Sequence, residues 1–416
     1  MNPSSTTSLS SNTTTTDEAE GSSGARHCPF DFSDALAFDP VMGEMLREAP
    51  LTRVRMNHGQ GTAWIVTRHA EVRQVTSDPR FSRAAAVGRD YSRMTPIPIA
   101  PADALMMLDP PHSFRIRAAL ARAFSTYGTR RLRRLADESV VRLLDRFTEA
   151  GPGADFVREV AAPLPMYTIW DVLGIPQEDH RSLRARIDPI KDTDDREDTH
   201  AHQSVHDYLR ELAARRRSIP ADDLLSALLH PRGGATALTD DEVAALAVSL
   251  ILGGHDNMTN QVANITYTLM EHPHVYRLLV DEPGRLNSVL DEVLRHIPYH
   301  RGVGTPRIAM EDVDLSGHRI AAGEVVYVSY VAANHDPHHF EDPEALVPGR
   351  SPVDHLTFGW GPHRCPATAL VMVVLETVFT HLPRTLPTLR LAAAPDDIPW
   401  NATSVLRSPL TLPLTW

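Results

Sequence analysis

The sequence predicts a mainly α protein with a small β region near its N-terminus, in which residues 27–416 form one domain behind a disordered tail. Three observations carry this reading. Helical patterning dominates from about Arg130 to Glu271. The clearest early strand pattern is the short apolar run Ala63-Trp-Ile-Val-Thr67. Near the C-terminus a glycine-rich turn, Phe358-Gly-Trp-Gly-Pro-His-Arg-Cys-Pro-Ala367, places one cysteine just before the apolar run Ala369–Leu375, which reads as a further helix.

Composition sets outer bounds. The chain has 416 residues, 42% of them hydrophobic and 23% charged, enough for a large core. Its two cysteines, Cys28 and Cys365, imply no disulfide framework and fit a reducing cytoplasm. A formal net charge of −12 argues against a nucleic-acid partner. No run approaches the roughly 18 apolar residues of a membrane span, and the N-terminus lacks a basic-then-apolar leader pattern. The 33 prolines are spread along the chain and mark loop boundaries.

Taken in order, Met1 to about Arg26 is Ser/Thr-rich without periodicity and is expected to be disordered. The strand at Ala63–Thr67 leads into a short helix over His69–Val75. From Ala84 to Leu108 the chain is irregular, with Pro96, Pro98 and Pro101, and loops of this length are usually functional or mobile. Asp109-Pro-Pro-His-Ser-Phe-Arg-Ile-Arg117 opens a helix, with its prolines expected in the first turn. Arg130, Arg131, Arg133 and Arg134 cluster in an otherwise acidic protein, either as a solvated face or as a surface for an acidic partner. Thr239-Asp-Asp-Glu242 is a capping box, and the helical pattern behind it runs roughly 33 residues, about 50 Å at 1.5 Å each. Its interior holds Gly253-Gly-His-Asp-Asn-Met-Thr259. Paired glycines in a helix cost about 1 kcal/mol each relative to alanine. They make sense if something large lies against the backbone, or if the helix opens locally. Further on, Glu292 and Arg295 share a helix face at i, i+3. Glu324–Val331 alternates like a strand.

Cys365 is the chemical focus. Gly359 and Gly361 permit positive φ and close approach to a flat partner. A helix N-terminus favours a thiolate, and a thiolate so held can be the axial ligand of a haem iron. A lone cysteine is otherwise most often a buried structural thiol; the surrounding motif decides against that.

The segment resembles the haem-binding loop of the cytochromes P450, Phe-Gly-x-Gly-x-His-x-Cys-x-Gly, with Ala367 where the family has glycine. Other motifs follow in the family's order over about residues 28 to 416. Asp78-Pro-Arg-Phe-Ser82 is similar to the segment before the substrate-covering loop, and Leu164–Pro176 to the helix and turn before the roof helices. The resemblance implies a P450 fold binding haem b (iron protoporphyrin IX) through Cys365. Arg117, Arg307 and His363 would meet the propionates, with Phe358 and Gly361 in the haem loop. Ser113 stands where the family has a propionate-binding histidine, with His112 one residue early. Gly253–Asn257 resembles the oxygen-binding groove: Asp256 falls on the acidic proton relay, and Asn257 replaces the family's threonine. Thr259, about 200° around the helix, cannot simply take over. Gly253, His255, Val303 and Gly304 are the implied substrate-pocket residues, although His255 reads equally as a hydrogen-bonded structural histidine. Glu292, Arg295 and Arg350 match the structural Glu–Arg–Arg cluster, and Trp400–Leu412 the terminal hairpin.

The implied chemistry is dioxygen activation with electrons from NAD(P)H through a ferredoxin and its reductase. A cytoplasmic monomer acting on a small molecule is expected, with no membrane or nucleic-acid partner. Hydroxylation of a secondary metabolite is the expected outcome. The alternative is oxidative C–C or C–N coupling of aromatic, for example tryptophan-containing, cyclodipeptides without oxygen insertion. Asn257, the Cys365-Pro-Ala367 turn and polar Tyr299, His300 and Arg301 near the pocket edge favour that alternative. A non-catalytic haem sensor is the third reading.

Overall fold

The structure, a computed structural model, describes residues 26–27, 35–96, 104–187, 190, 195–233, 236–351, 353–402 and 404–416. The expected tail lies outside these residues except for Arg26, as do Cys28 and part of the irregular stretch before Asp109. The N-terminal part holds β1 (Arg26–His27), α1 (Pro40–Glu48), β2 (Leu51–Arg55), β3 (Ala63–Val66), α2 (His69–Ser77) and β4 (Phe81–Ser82). Helices follow: α3 (His112–Tyr127), α4 (Thr129–Ala150), α5 (Pro163–Leu173), α6 (His180–Ile187), α7 (Asp195–Ser218), α8 (Leu224–Leu229), α9 (Asp240–Glu271), α10 (Pro273–Asp281) and α11 (Leu286–His296). Next come β5 (Arg307–Ala309), β6 (Val313–Leu315), β7 (His318–Ile320), β8 (Val325–Val328) and α12 (Tyr330–Asn334). The chain closes with α13 (Thr368–Thr385), β9 (Arg390–Leu391) and β10 (Leu414–Thr415).

Helix α9 is the spine. Thr239 Oγ1 accepts from the Glu242 N–H at 3.2 Å while Glu242 Oε2 accepts from the Thr239 N–H at 2.9 Å, completing the capping box. Its 32 residues span about 48 Å. From Gln261 to Met270 every residue is buried, so this half is enclosed on all sides. Helices α5 and α7 pack along it, and α4 lies on α13; their apolar faces merge into one large core.

Three expectations need correction. Helix α3 starts at His112 behind Pro110 and Pro111, so the prolines end the preceding loop rather than occupy the first turn. The β region is not confined to the N-terminus. The six-stranded sheet runs β1-β2-β3-β8-β5-β4, because β3 pairs in parallel with β8, more than 250 residues later (Ala63 with Val325). The stretch expected to alternate is a strand only over Val325–Val328, and all four residues are buried. As an inner strand between β3 and β5 it has no solvent face to alternate with.

Candidate active site

The Cys365 loop is folded back on itself. The Cys365 N–H donates to the Phe358 carbonyl at 2.7 Å, and the Gly359 N–H to the Leu356 carbonyl at 2.8 Å. Gly361 has φ +70°, and a Cβ there would stand 2.4 Å from the Thr76 carbonyl oxygen. Only glycine lets the loop press against the end of α2. Phe358 packs on the edge of the large core. Ala367 precedes α13 at φ −101°, a conformation open to any L-residue, so alanine causes no backbone strain where the family has glycine. Burial pushes the Cys365 thiol up, against the opposing pull of the Ala367 N–H, the Thr368 hydroxyl, Arg117 and Arg364. The helix terminus alone therefore does not offset the burial of the thiol. A coordinated metal cation would favour the thiolate.

Positive charge converges beside this loop. Arg307 is 1% exposed, and its nearest acceptors are distant: the Thr305 carbonyl at 3.4 Å and the Tyr330 hydroxyl at 3.5 Å. Arg117 donates to the Arg364 carbonyl at 2.6 Å, while its Nε is buried without a partner. His363 Nε2 meets Asp109 Oδ1 at 3.1 Å, and its buried Nδ1 has no partner. Burial pushes the His363 pKa down to about 4. Burial also acts to raise the Asp109 pKa, but hydrogen bonds from His363, Ser82, Ala84 and Arg83 hold it at about 2. Arg83, which no sequence pattern singled out, is 5% exposed and close enough to Arg307 and Arg117 to feel their charge. Unfilled buried donors beside a cysteine suit a flat group that carries carboxylates, and haem with its two propionates fits this donor set.

In α9 the two glycines have different reasons. A Cβ on Gly254 would stand 2.7 Å from Ile169 Cδ1, so Gly254 lets α5 cross closely. A Cβ on Gly253 would meet nothing within 4 Å, so Gly253 faces open space. The helix stays α throughout and does not open locally. Asn257 Nδ2 donates to the Gly253 carbonyl at 2.7 Å, and that carbonyl's need for a donor fixes the amide's orientation. His255 Nδ1 pairs with Asp256 Oδ1 at 2.8 Å; the Asp256 side chain is 51% exposed, that of His255 15%. Thr259 Oγ1 is buried without a partner.

The remaining residues divide. Glu292 pairs with Arg295 at 2.8 Å and with Arg350 at 3.1 Å, bringing all three together. Val303 is 3% exposed and packed among Met42, Tyr91 and Tyr327; with Gly304 it borders a cavity of only about 10 Å³, room for a water at most. The residues expected at the pocket edge each bond a backbone carbonyl, and Tyr299 lies close enough to Cys365 to feel its charge. Tyr299 donates to the Thr357 carbonyl at 3.2 Å, His300 Nδ1 meets the Arg301 carbonyl at 3.0 Å, and Arg301 donates to the Asn401 carbonyl at 2.8 Å. Burial pushes the His300 pKa down to about 4. The basic cluster is largely neutralised: Arg131 pairs with Asp222, Arg133 with Glu376 at 2.5 Å, and Arg134 lies 4.0 Å from Glu138. Among the described residues no helix is long and apolar enough to cross a membrane.

Comparison with known proteins agrees with this geometry. Residues 183–403 match the family Cytochrome P450. Nocardicin C N-oxygenase of Nocardia uniformis subsp. tsuyamanensis is 40% identical over 395 residues, covering 94% of this chain and 98% of that protein. Biflaviolin synthase of Streptomyces coelicolor is 37% identical, with 92% and 94% covered. The crystal structure of cytochrome P450mel 107F1, with biaryl coupling reactivity, superimposes with a TM-score of 0.87 at 45% identity, covering 94% of this chain and all of that one. With a cysteine loop, a cationic cradle that keeps unfilled donors and full-length relatives in agreement, the chain belongs to the cytochrome P450 family and is a monooxygenase of secondary metabolism.

Proposed function

We propose that residues 27–416 act as one haem domain that hydroxylates a secondary-metabolite small molecule in the cytoplasm. Cys365 is the iron ligand, and Arg117, Arg307 and His363 hold the propionates. The observation that carries this reading is the convergence of buried donors without partners beside the Cys365 loop. The haem supplies dioxygen activation when bound, using NAD(P)H electrons passed through a ferredoxin and its reductase. The chain's own residues set the rest. Gly253 leaves the helix face open for the cofactor and its ligands. Asp256, half in solvent and bonded to His255, carries protons inward. Asn257, tied to the Gly253 carbonyl, orients water with its remaining amide groups rather than offering a hydroxyl. Val303 and Gly304 shape the pocket wall from behind.

A second reading, oxidative coupling of aromatic substrates such as cyclodipeptides, is supported by that amide at the threonine position. The relatives named for biflaviolin synthesis and biaryl coupling support it too. Polyketides, terpenoids and aromatic cyclodipeptides would be screened for saturable high-spin shifts of the haem band, followed by turnover and product mass. Gain of one oxygen supports hydroxylation. Loss of two hydrogens with two rings joined overturns it in favour of coupling.

A further inference from the structure

We propose that Arg83 is a third cationic ligand for the carboxylates of the haem, alongside Arg117 and Arg307. Arg83 sits directly after β4, where the chain turns into a single 3-10 turn over Ala84–Ala86. Its guanidinium is inside the protein, with side-chain Nη1 donating to the Met106 carbonyl at 3.1 Å and Nε buried without any partner. Burial and the charges of Arg307 and Arg117 push its pKa down to about 9, the signature of a cation with too little negative charge around it. A guanidinium keeps its proton in proteins, so an incoming anion must offset that burial.

The charge count indicates which anion. Arg83 feels the charges of both Arg307 and Arg117, and none of the three makes an ion pair with a protein carboxylate among the described residues. The one carboxylate set among them, among the described residues, is Asp109, and its oxygens already accept from Ser82 Oγ at 2.5 Å, the Arg83 N–H at 3.2 Å, the Ala84 N–H at 3.1 Å and His363. Three guanidiniums against one carboxylate leave an excess of two positive charges. Haem brings two carboxylates. With Arg83 included the cradle is neutral when filled; without it one propionate lacks a matching charge. Asp109 also fixes the geometry: by bonding the backbone on both sides of the Arg83 Cα and the His363 ring, it locks the arginine and the haem loop to a common point. Tyr330 lies in the same field. Burial alone would raise its pKa, but Arg307 and Arg83 pull it below the ordinary phenol value.

The inference rests on haem filling this pocket, which the absorption spectrum of the unaltered protein reports separately. The test measures haem release from the loaded protein to excess apomyoglobin, for the parent, Arg83→Gln and Arg83→Lys. Each is loaded either with haem or with its dimethyl ester, whose propionates carry no charge. Losing one charge-assisted contact should speed release of haem by about tenfold for Arg83→Gln. Arg83→Lys, which keeps the charge but not the planar fork, should fall between. With the ester, the parent and both variants should release at one rate. Equal release of haem from parent and Arg83→Gln overturns the proposal. So does an equal acceleration with haem and with ester, which would make Arg83 a structural residue only. Should Arg83→Gln not fold, Arg83→Lys carries the same haem-against-ester comparison.

Discussion

Changing Glu292 to glutamine tests whether the ion cluster on α11 is held by charge rather than by packing. The Glu292 and Arg295 side chains are both 0% exposed. Glu292 Oε1 accepts from Arg295 Nη2 at 2.8 Å, the Val347 N–H at 3.0 Å and Arg350 Nε at 3.1 Å, and Oε2 from Arg295 Nε at 2.9 Å. A glutamine amide keeps one acceptor oxygen and turns its own N–H protons toward a guanidinium. Arg295 would retain the carbonyls of Asn334, Pro343 and Ala345. That places the loss near the lower end of the about 3–5 kcal/mol expected when a buried charge loses its partner. Urea unfolding of the haem-loaded protein, followed by tryptophan fluorescence across pH, measures it. Burial acts to raise the Glu292 pKa, but the donors on Arg295, Val347 and Arg350 outweigh it and hold the carboxyl below its usual value of 4.5. A lowered folded-state pKa stabilises fully above the unfolded value and is lost as pH falls through the folded one. The parent's advantage over the variant should therefore be constant at neutral pH and shrink as pH drops below 4.5. A difference under about 1 kcal/mol at neutral pH, or one that acid leaves untouched, would refute the reasoning.

Three further outcomes follow from the site. Cys365→Ser should abolish the thiolate signature of the reduced carbon-monoxide adduct while far-UV circular dichroism stays unchanged, because the loop is held by the backbone bond to Phe358 and its neighbours, which serine preserves. Gly361→Ala combines a positive φ with a 2.4 Å clash against the backbone at Thr76 and should cost at least about 2 kcal/mol, read as a drop in haem content and in unfolding midpoint. Asn257→Ala removes the bond to the Gly253 carbonyl and should lower product formed per dioxygen consumed by about tenfold. Asn257→Thr, whose hydroxyl can reach the same carbonyl, should restore much of that ratio, and equal ratios in all three proteins would exclude a role for the amide.

How much of this was legible in the chain follows from how local each feature is. The capping box at Thr239, the helices on either side of it and the short loop ending in Cys365 depend on residues a few positions apart, so their spacing exposes them. Asn257 is visible as a departure for the same reason. Only the folded chain shows that its amide is spent on Gly253, or that Gly254 serves the packing of α5 while Gly253 faces open space. Polar residues beside a motif are the least readable. Tyr299 and Arg301 bond the distant carbonyls of Thr357 and Asn401 while His300 bonds its neighbour Arg301, and only the folded chain shows which polar side chain finds a partner far away.

Sequence alone thus determined the helical class, the position of the cysteine and the order of the motifs, since these arise from periodicity and contiguous spacing. Tertiary structure alone decided which strands share a sheet and which charges meet. β3 finds β8 across the chain, and Arg83, Asp109, Arg117, Arg307 and His363 converge from four separate segments. No local pattern encodes such meetings. They follow from closing long loops around one core, and the electrostatic balance of the site exists only after that closure.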